Sequence, residues 1–179
     1  GGAWWAVRLL SALLTVESLL LLLSAAWRMT LYVDVYGLSF KRCMTYWGMG
    51  MMAAFLLAAA WKVWRPDFRF CRVVFPLALA GWLVINCVPV DYLVAKDQVD
   101  RHLSGESAVL DVDYLLYDLS YDTLSQLERL DGDTIFQSRD SAFRTLESLL
   151  SQRRADAQAE CTDWRTWSLS AWLASRGGA

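Results

Sequence analysis

The sequence has few of the side chains that build catalytic and metal centres. His102 is its only histidine, and no CxxC pair or Cys/His cluster is present, which argues against a zinc site. The four cysteines are Cys43, Cys71, Cys87 and Cys161. The acidic positions between 111 and 122 lack the spacing, the glycine and the final glutamate of a calcium loop. Because no nucleophile–base pair or cofactor motif is present either, we expect neither an enzyme nor a bound cofactor.

Charge is scarce in the first half of the chain. Residues 1–88 contain eight Lys/Arg and three Asp/Glu, whereas residues 89–179 contain nine Lys/Arg and sixteen Asp/Glu. The first part therefore has a net charge of +5 and the second a net charge of −7. An excess of carboxylates argues against nucleic acid as a partner, since binding to phosphates requires Lys and Arg.

Long apolar runs dominate the first part. They are Trp4–Trp27, Cys43–Trp64 and Phe70–Val88. A helix needs about 20 apolar residues to cross a bilayer. The first run is too long for a cleavable signal peptide. The sequence thus predicts an all-α protein, with three transmembrane helices in a membrane domain at 1–88 and a small, acidic, soluble helical domain at 89–179.

The connection between the first two runs, residues 28–42, predicts an interfacial turn. In the tail, apolar periodicity predicts helices at about 90–103, 112–119, 123–130, 140–159 and 169–174. The expected N-caps of three of these helices are Asp111, Asp122 and Ser168. The first helix is expected to bury Tyr92, Ala95, Val99 and Leu103. The fourth is expected to bury Phe143, Leu146 and Leu150.

Four stretches, taken in order, resemble an uncharacterised family of bacterial multipass membrane proteins. It is the domain-of-unknown-function family numbered four-one-five-three, with four-one-seven-three as an older label. The stretches are 31–42 (LYVDVYGLS followed by Arg42), 86–91, 110–122 and 163–170 (DWRTWSLS). Ser168 stands where the family commonly has Asn, and both are good helix caps. The resemblance covers about residues 28–175. It implies the C-terminal portion of a longer protein with further transmembrane helices upstream, and it supplies no activity.

Glu17 is the one carboxylate near the middle of the first apolar run. An ionisable group at that depth costs about 2.5–3.5 kcal/mol on insertion scales, which makes it a candidate for function. One hypothesis is a proton or ion relay, or a polar ligand pocket. The alternative is a protonated or hydrogen-bonded contact between helices.

A second candidate lies in the predicted turn, where Tyr32, Asp34, Tyr36 and Gly37 stand close together. These residues are candidates for recognition of a headgroup, a substrate or a partner. Tyrosines also gather at membrane interfaces without any such role, and we favour this interfacial belt.

The basic cluster comprises Lys62, Arg65, Arg69 and Arg72. Such clusters mark the cytoplasmic side of a membrane and contact anionic lipid. Counted over all flanks, the two sides carry five cations each. The density of this cluster favours a cytoplasmic second loop, with the tail outside the cytoplasm. The family resemblance implies that the membrane is a bacterial inner membrane.

Near the end of the chain, two tryptophans flank a cation in Asp163, Trp164, Arg165 and Trp167. Trp and Arg are typical interface anchors, so this segment is a candidate docking site for the membrane domain or a partner. A contact within the tail is the alternative.

Taken together, these patterns favour a non-enzymatic anchoring, sensing or assembly protein. The alternative function is part of an ion- or solute-coupled transporter with Glu17 in a polar path.

Overall fold

The computed structural model describes residues 2–65, 67–106, 110–137 and 143–176. The chain forms two compact units that divide after Val88. Each unit is described by itself below.

The first unit consists of three helices, α1 (Gly2–Tyr36), α2 (Phe40–Trp64) and α3 (Phe70–Cys87). All three are long and apolar enough to cross a membrane. The bounds of α2 and α3 lie within three residues of the predicted runs. Among the described residues from 4 to 88, only Gly37 is buried.

The predicted turn at 28–42 is wrong for most of its length. α1 continues to Tyr36, and at about 1.5 Å per residue its 35 residues extend over about 50 Å. No helix breaker precedes Gly37, which adopts a positive φ of 72° that suits glycine and ends the helix. Ser39 then caps α2 by accepting a hydrogen bond from the backbone N of Arg42 at 3.4 Å. Tyr32, Asp34 and Tyr36 therefore lie on a helix and not in a loop.

α1 and α2 pack side by side as an antiparallel pair. The half-buried positions of α1 recur at helical spacing and include Thr15, Leu22 and Ala26. Hydroxyl groups along the pair bond within their own helix, as in Thr15 Oγ1 to the Ser11 carbonyl at 2.8 Å. Tyr46 of α2 donates its hydroxyl to Thr30 Oγ1 at 3.2 Å and so joins the two helices.

The close approach between α2 and α3 occurs at a glycine that the sequence did not single out. A Cβ at Gly81 would collide with the Sδ and Cε atoms of Met51, so the missing side chain makes room for the methionine. Among the described residues, Gly48 and Gly50 of α2 do not take part in such a close approach. A Cβ at either position would meet nothing within 4 Å in the described part of the chain.

The second unit, the tail, is mainly helical with one short hairpin. Its elements in chain order are α4 (Val90–Leu103), a π-helix (Tyr114–Asp118), a 3₁₀-helix (Tyr121–Thr123), α5 (Leu124–Leu127), β1 (Ile135–Gln137), β2 (Phe143–Thr145), α6 (Leu146–Thr162) and α7 (Leu169–Arg176). The strands pair antiparallel, with Phe136 opposite Arg144. The all-α prediction thus holds apart from this hairpin.

The tail has a true apolar core. Its largest fully buried side chains are Leu115, Leu116, Leu127, Leu146, Leu149, Val94, Val99 and Thr123. They come from five elements, namely α4, the π-helix, the 3₁₀-helix, α5 and α6. Thr123 donates its hydroxyl to the Leu115 carbonyl at 2.8 Å and thereby satisfies the one buried hydroxyl among them.

The predicted helix at 140–159 begins later than expected. α6 starts at Leu146, and the part of the prediction at 140–142 lies outside the described residues. Leu146 and Leu150 are buried as predicted, but Phe143 belongs to β2 and is 74% exposed. The alternating geometry of a strand turns this ring away from the core.

Two smaller predictions in the tail are also corrected. Leu103 was expected in the core of α4 but is exposed, while Val94 is fully buried in its place. Asp122 was expected to cap a helix but lies inside the 3₁₀-helix that Ser120 precedes. Asp111 does act as a cap, since its Oδ1 accepts a hydrogen bond from the backbone N of Tyr114 at 3.0 Å.

Candidate functional site

The tail contains an open groove of about 740 Å³. Its floor is apolar and comes from three elements, with Tyr92 on α4, Leu124 on α5, and Leu169 and Leu173 on α7. Pro89, Tyr121, Asp122, Ser125, Glu128, Ser170 and Ala174 complete the lining. A groove of this size with a few polar groups at its edge is the usual form of a binding site.

Three of the four stretches that carry the family resemblance supply residues to this groove. Pro89 comes from the second stretch, Asp122 from the third and Ser170 from the fourth. Just beside the groove, Asp91 Oδ2 accepts a hydrogen bond from the backbone N of Ser120 at 3.1 Å and so ties the second stretch to the third. The fold thus brings together segments that lie up to about 80 residues apart.

Two carboxylates lie at the groove. Glu128 accepts a hydrogen bond from Arg154, and the positive charge of Arg154 neutralises the Glu128 carboxylate. Asp122 accepts only a long hydrogen bond, from the Ser120 hydroxyl at 3.4 Å, within the part of the chain that the structure describes. The Asp122 carboxylate therefore keeps acceptor capacity for a bound cation or N–H group.

An exposed apolar surface continues from the groove along the predicted docking segment. Trp164 is 83% exposed, Trp167 51%, Leu169 60% and Leu173 52%. Ser168 caps α7 as predicted, by accepting from the backbone N of Ala171 at 3.2 Å. This cap fixes the direction in which α7 leaves the preceding turn.

The turn that carries the two tryptophans is ordered by Asp163. Its Oδ1 accepts from the backbone N of Arg165 at 3.1 Å, and its carbonyl accepts from the N of Trp167 at 3.0 Å. The Arg165 guanidinium lies 5.5 Å from the ring of Trp164. The structure thus holds Trp164 and Arg165 together at the surface, while the predicted docking role stays a prediction.

Behind the groove, Tyr121 connects the 3₁₀-helix to α6. Its hydroxyl donates to Glu160 Oε1 at 2.8 Å, and the Arg153 guanidinium lies 4.2 Å from its ring centre. Burial, together with the hydrogen bond to Glu160, raises the pKa of Tyr121 to about 12. The side chain is therefore a neutral donor at physiological pH, and its role is to position the groove wall.

Glu17 lies on the side of α1 that faces away from α2. It is exposed, and leucines that are themselves exposed surround it, including Leu13, Leu20 and Leu21. Within the described residues it forms no hydrogen bond or ion pair. The structure therefore does not bring Glu17 together with any other predicted site residue.

Tyr32 and Tyr36 form a compact cluster with an arginine from the next helix. Their rings stack with centroids 4.7 Å apart, and the Arg42 guanidinium lies 5.4 and 5.7 Å from the two rings. Arg42 also donates to the carbonyls of Tyr36, at 3.0 Å, and Gly37. We call this the tyrosine–arginine cluster. It fixes the turn between α1 and α2, and Asp34 is exposed beside it.

The basic cluster extends from the last turn of α2 to the first turn of α3. Lys62 donates to the Phe68 carbonyl at 2.7 Å and closes the turn, while Arg65, Arg69 and Arg72 are exposed. Arg8, near the start of α1, lies at the same end of the helices. Its guanidinium donates to the carbonyls of Val63 and Trp64. The only signal in the sequence was a cation one turn inside an apolar run.

Among the described residues, no group of three or more His, Cys, Asp or Glu side chains is placed to hold a metal ion. The chemistry that the described groove offers is therefore that of apolar contact, one available carboxylate and hydroxyl groups.

The fold and its groove define a membrane-associated helical protein whose acidic tail presents a concave apolar surface. The chain belongs to the family described as Domain of unknown function (DUF4153), which matches residues 2–130. The match includes α1, and three of the four resembling stretches lie within it, whereas 163–170 lies beyond it. No curated protein and no solved structure matches the chain.

Proposed function

We propose that this protein is a multipass membrane protein that acts by binding, not by catalysis. Its three long helices anchor it in the bilayer, and the groove of its tail docks a segment of a partner protein. The groove itself carries the proposal, because it combines an apolar floor with an available carboxylate and continues into exposed tryptophans and leucines. Exposed apolar surface rimmed by polar groups is typical of an interaction site.

The partner segment that fits this groove is an amphipathic helix with a basic residue. Leu169 and Leu173, one turn apart on α7, present an apolar edge against which a second helix can pack. The Asp122 carboxylate then pairs with Lys or Arg of the partner. The net charge of −7 over residues 89–179 supports a cationic partner as well.

Photo-crosslinking in intact membranes tests this function. A photoreactive amino acid at Leu173 is expected to crosslink to one partner protein, identified by mass spectrometry. The same amino acid at Gln158, an exposed position of α6, serves as the control and is expected to yield no such product. Asp122→Lys in the Leu173-labelled chain should reduce the yield at least tenfold. Crosslinks to lipid alone, or equal crosslinking from both positions, would refute the proposal.

The second candidate function, an ion- or solute-coupled transporter, depends on Glu17. Its exposed position, away from α2, means that a polar path requires helices other than the three described here. The same exposure supports a contact between α1 and a further transmembrane helix, either of a longer protein or of a partner, because a lone carboxylate facing lipid is costly.

We also propose a bacterial inner membrane as the location, with the tail outside the cytoplasm. The density of Lys62, Arg65, Arg69 and Arg72 supports this orientation. Labelling of Cys161 in intact cells with a membrane-impermeant thiol reagent tests it, in a chain whose other three cysteines are replaced by serine. Labelling only after lysis would place the tail in the cytoplasm.

A further inference from the structure

Arg8 holds an unusual position at one end of the first unit. Its Nε and Nη2 atoms donate to the Val63 carbonyl at 3.1 and 3.0 Å, and Nη2 donates to the Trp64 carbonyl at 3.0 Å. These carbonyls belong to the last turn of α2, where backbone acceptors lack partners within the helix. Nη1 makes no hydrogen bond within the described part of the chain, so two N–H donors stay available.

A notch of about 440 Å³ opens beside this guanidinium. It is lined by Trp5, Arg8, Leu9, Ala12, Val63 and Trp64. The two tryptophans are 70% and 78% exposed. One charged group, two interfacial aromatic rings and an apolar wall are thus combined at a single place.

The charge around the notch is predominantly positive. The cations at this end of the helices are Arg8, Lys62, Arg65, Arg69 and Arg72, and Asp67 is the only acidic residue between 62 and 72. The tryptophans at the same end are Trp4, Trp5, Trp61 and Trp64. Tryptophan favours the headgroup level of a bilayer, so these donors lie where lipid phosphates are found.

We propose that the notch binds one anionic phospholipid. The phosphate accepts hydrogen bonds from Nη1 of Arg8, and an acyl chain lies against Leu9 and Ala12 between the rings of Trp5 and Trp64. Guanidinium suits this role because its planar N–H groups match phosphate oxygens. The inference rests on the proposed placement of the three helices across a bilayer.

Native mass spectrometry of the full chain, released from detergent and titrated with lipid, tests this site. We expect one molecule of phosphatidylglycerol to bind at least tenfold more tightly than phosphatidylcholine with the same chains. Millimolar inorganic phosphate is not expected to displace it, because the acyl chain contributes to binding. Equal binding of the two lipids, or displacement by phosphate alone, would overturn the proposal.

Two pairs of variants separate the notch from general attraction to a basic surface. Ala12→Phe fills the notch and leaves Arg8 in place, and it should reduce phosphatidylglycerol binding at least tenfold. Ala6→Phe, at an exposed position of α1 that does not line the notch, is its control and should bind like the wild type. Arg8→Gln should lose the bound lipid, whereas Arg69→Gln should weaken binding less than threefold. If Ala12→Phe binds normally, or Arg69→Gln loses as much as Arg8→Gln, the notch is not the site.

The helix cap that Arg8 provides is monitored separately by the melting temperature of each variant. Ala12→Phe keeps the contact of Arg8 with the end of α2. Its binding of phosphatidylglycerol therefore tests the notch even if Arg8→Gln does not fold. Recovery of the wild-type chain in the membrane fraction reports on the anchoring function. A chain that is found in membranes but does not select phosphatidylglycerol would overturn the lipid site alone.

Discussion

The two units of this chain use apolar residues in opposite ways. In the described part of the first unit, large apolar side chains such as Leu21 and Trp64 are 66% and 78% exposed, and only Gly37 is buried. In the tail, Leu127 and Leu149 are 0% and 1% exposed. The proposed bilayer explains the difference, since lipid solvates apolar side chains and water does not. A leucine is therefore exposed on the helices of the first unit but buried in the core of the tail.

Among the substitutions that test this comparison, Leu127→Ala is expected to have the largest effect on the free energy of unfolding. Removing a fully buried leucine should cost the tail about 2–5 kcal/mol, because transfer energy is lost and a cavity is left. Leu21→Ala is the matched control, and at an exposed position it should change stability by less than about 0.5 kcal/mol. Urea unfolding in detergent measures both losses, followed by proteolysis of the tail for Leu127→Ala and by the reactivity of the half-buried Cys43 thiol for Leu21→Ala. Similar losses for the two variants would break the comparison.

Arg42→Lys tests the most polar contact of the first unit. Lysine keeps the charge but cannot stack on Tyr32 and Tyr36 while donating to two carbonyls, so a loss of about 1–3 kcal/mol is expected. The temperature at which the half-buried Cys43 thiol becomes reactive reports on this loss, with the other cysteines replaced by serine. Lys41→Ala, an exposed neighbour, should leave that temperature unchanged. A stable Arg42→Lys chain would show that the cluster does not hold the turn.

Tyr121→Phe should destabilise the tail by about 1 kcal/mol, because it removes the hydrogen bond to Glu160. The pKa of Tyr121 is about 12 in the folded tail and 10.0 ordinarily. Between pH 10 and 12 the unfolded chain therefore releases this proton first, and the stability of the wild type falls. The fall should be shallower in Tyr121→Phe. Urea unfolding at pH 9, 10 and 11 measures the difference, and parallel pH profiles would contradict the assignment.

The smallest expected effect is that of Glu17→Gln. Because Glu17 has no partner within the described residues, its replacement should change the stability of the first unit by less than about 0.5 kcal/mol. The Cys43 assay measures this, with Leu22→Gln on the half-buried face of α1 as the contrasting variant. A loss above about 1 kcal/mol would instead indicate a contact with a further helix and favour the polar path.

Much of the helical layout was predictable because apolar runs of fixed length leave few alternatives. The prediction failed where local patterns are ambiguous. Alternating residues at 31–36 fit a strand or an interfacial turn, yet the helix continues because only Gly37 offers a break. Phe143 fits the period of a helix but lies in a strand, whose pairing with β1 depends on residues six to ten positions away.

The candidate sites likewise contain some residues that the sequence identifies and some contacts that it does not predict. Sequence reasoning found Trp164 and Asp122 individually, but not the groove in which Asp122 meets Tyr92 and Leu173. In the sequence Arg8 is only a cation near one end of the first apolar run, whereas the structure places its guanidinium on the carbonyls of α2. Contacts over more than 50 residues leave no periodic signal in the chain, so these sites could not be predicted from spacing.

By itself, then, the sequence determined the three apolar helices, the change of charge near Val88 and the mainly helical tail. These properties depend on composition and on periodicities of a few residues. Only the tertiary structure decided that Pro89, Asp122 and Ser170 share one groove and that Arg8 caps α2. Such arrangements follow from the packing of α4, α5 and α7, and of α1 against α2. Side chains that are far apart in the sequence come into contact only when the helices that carry them pack together.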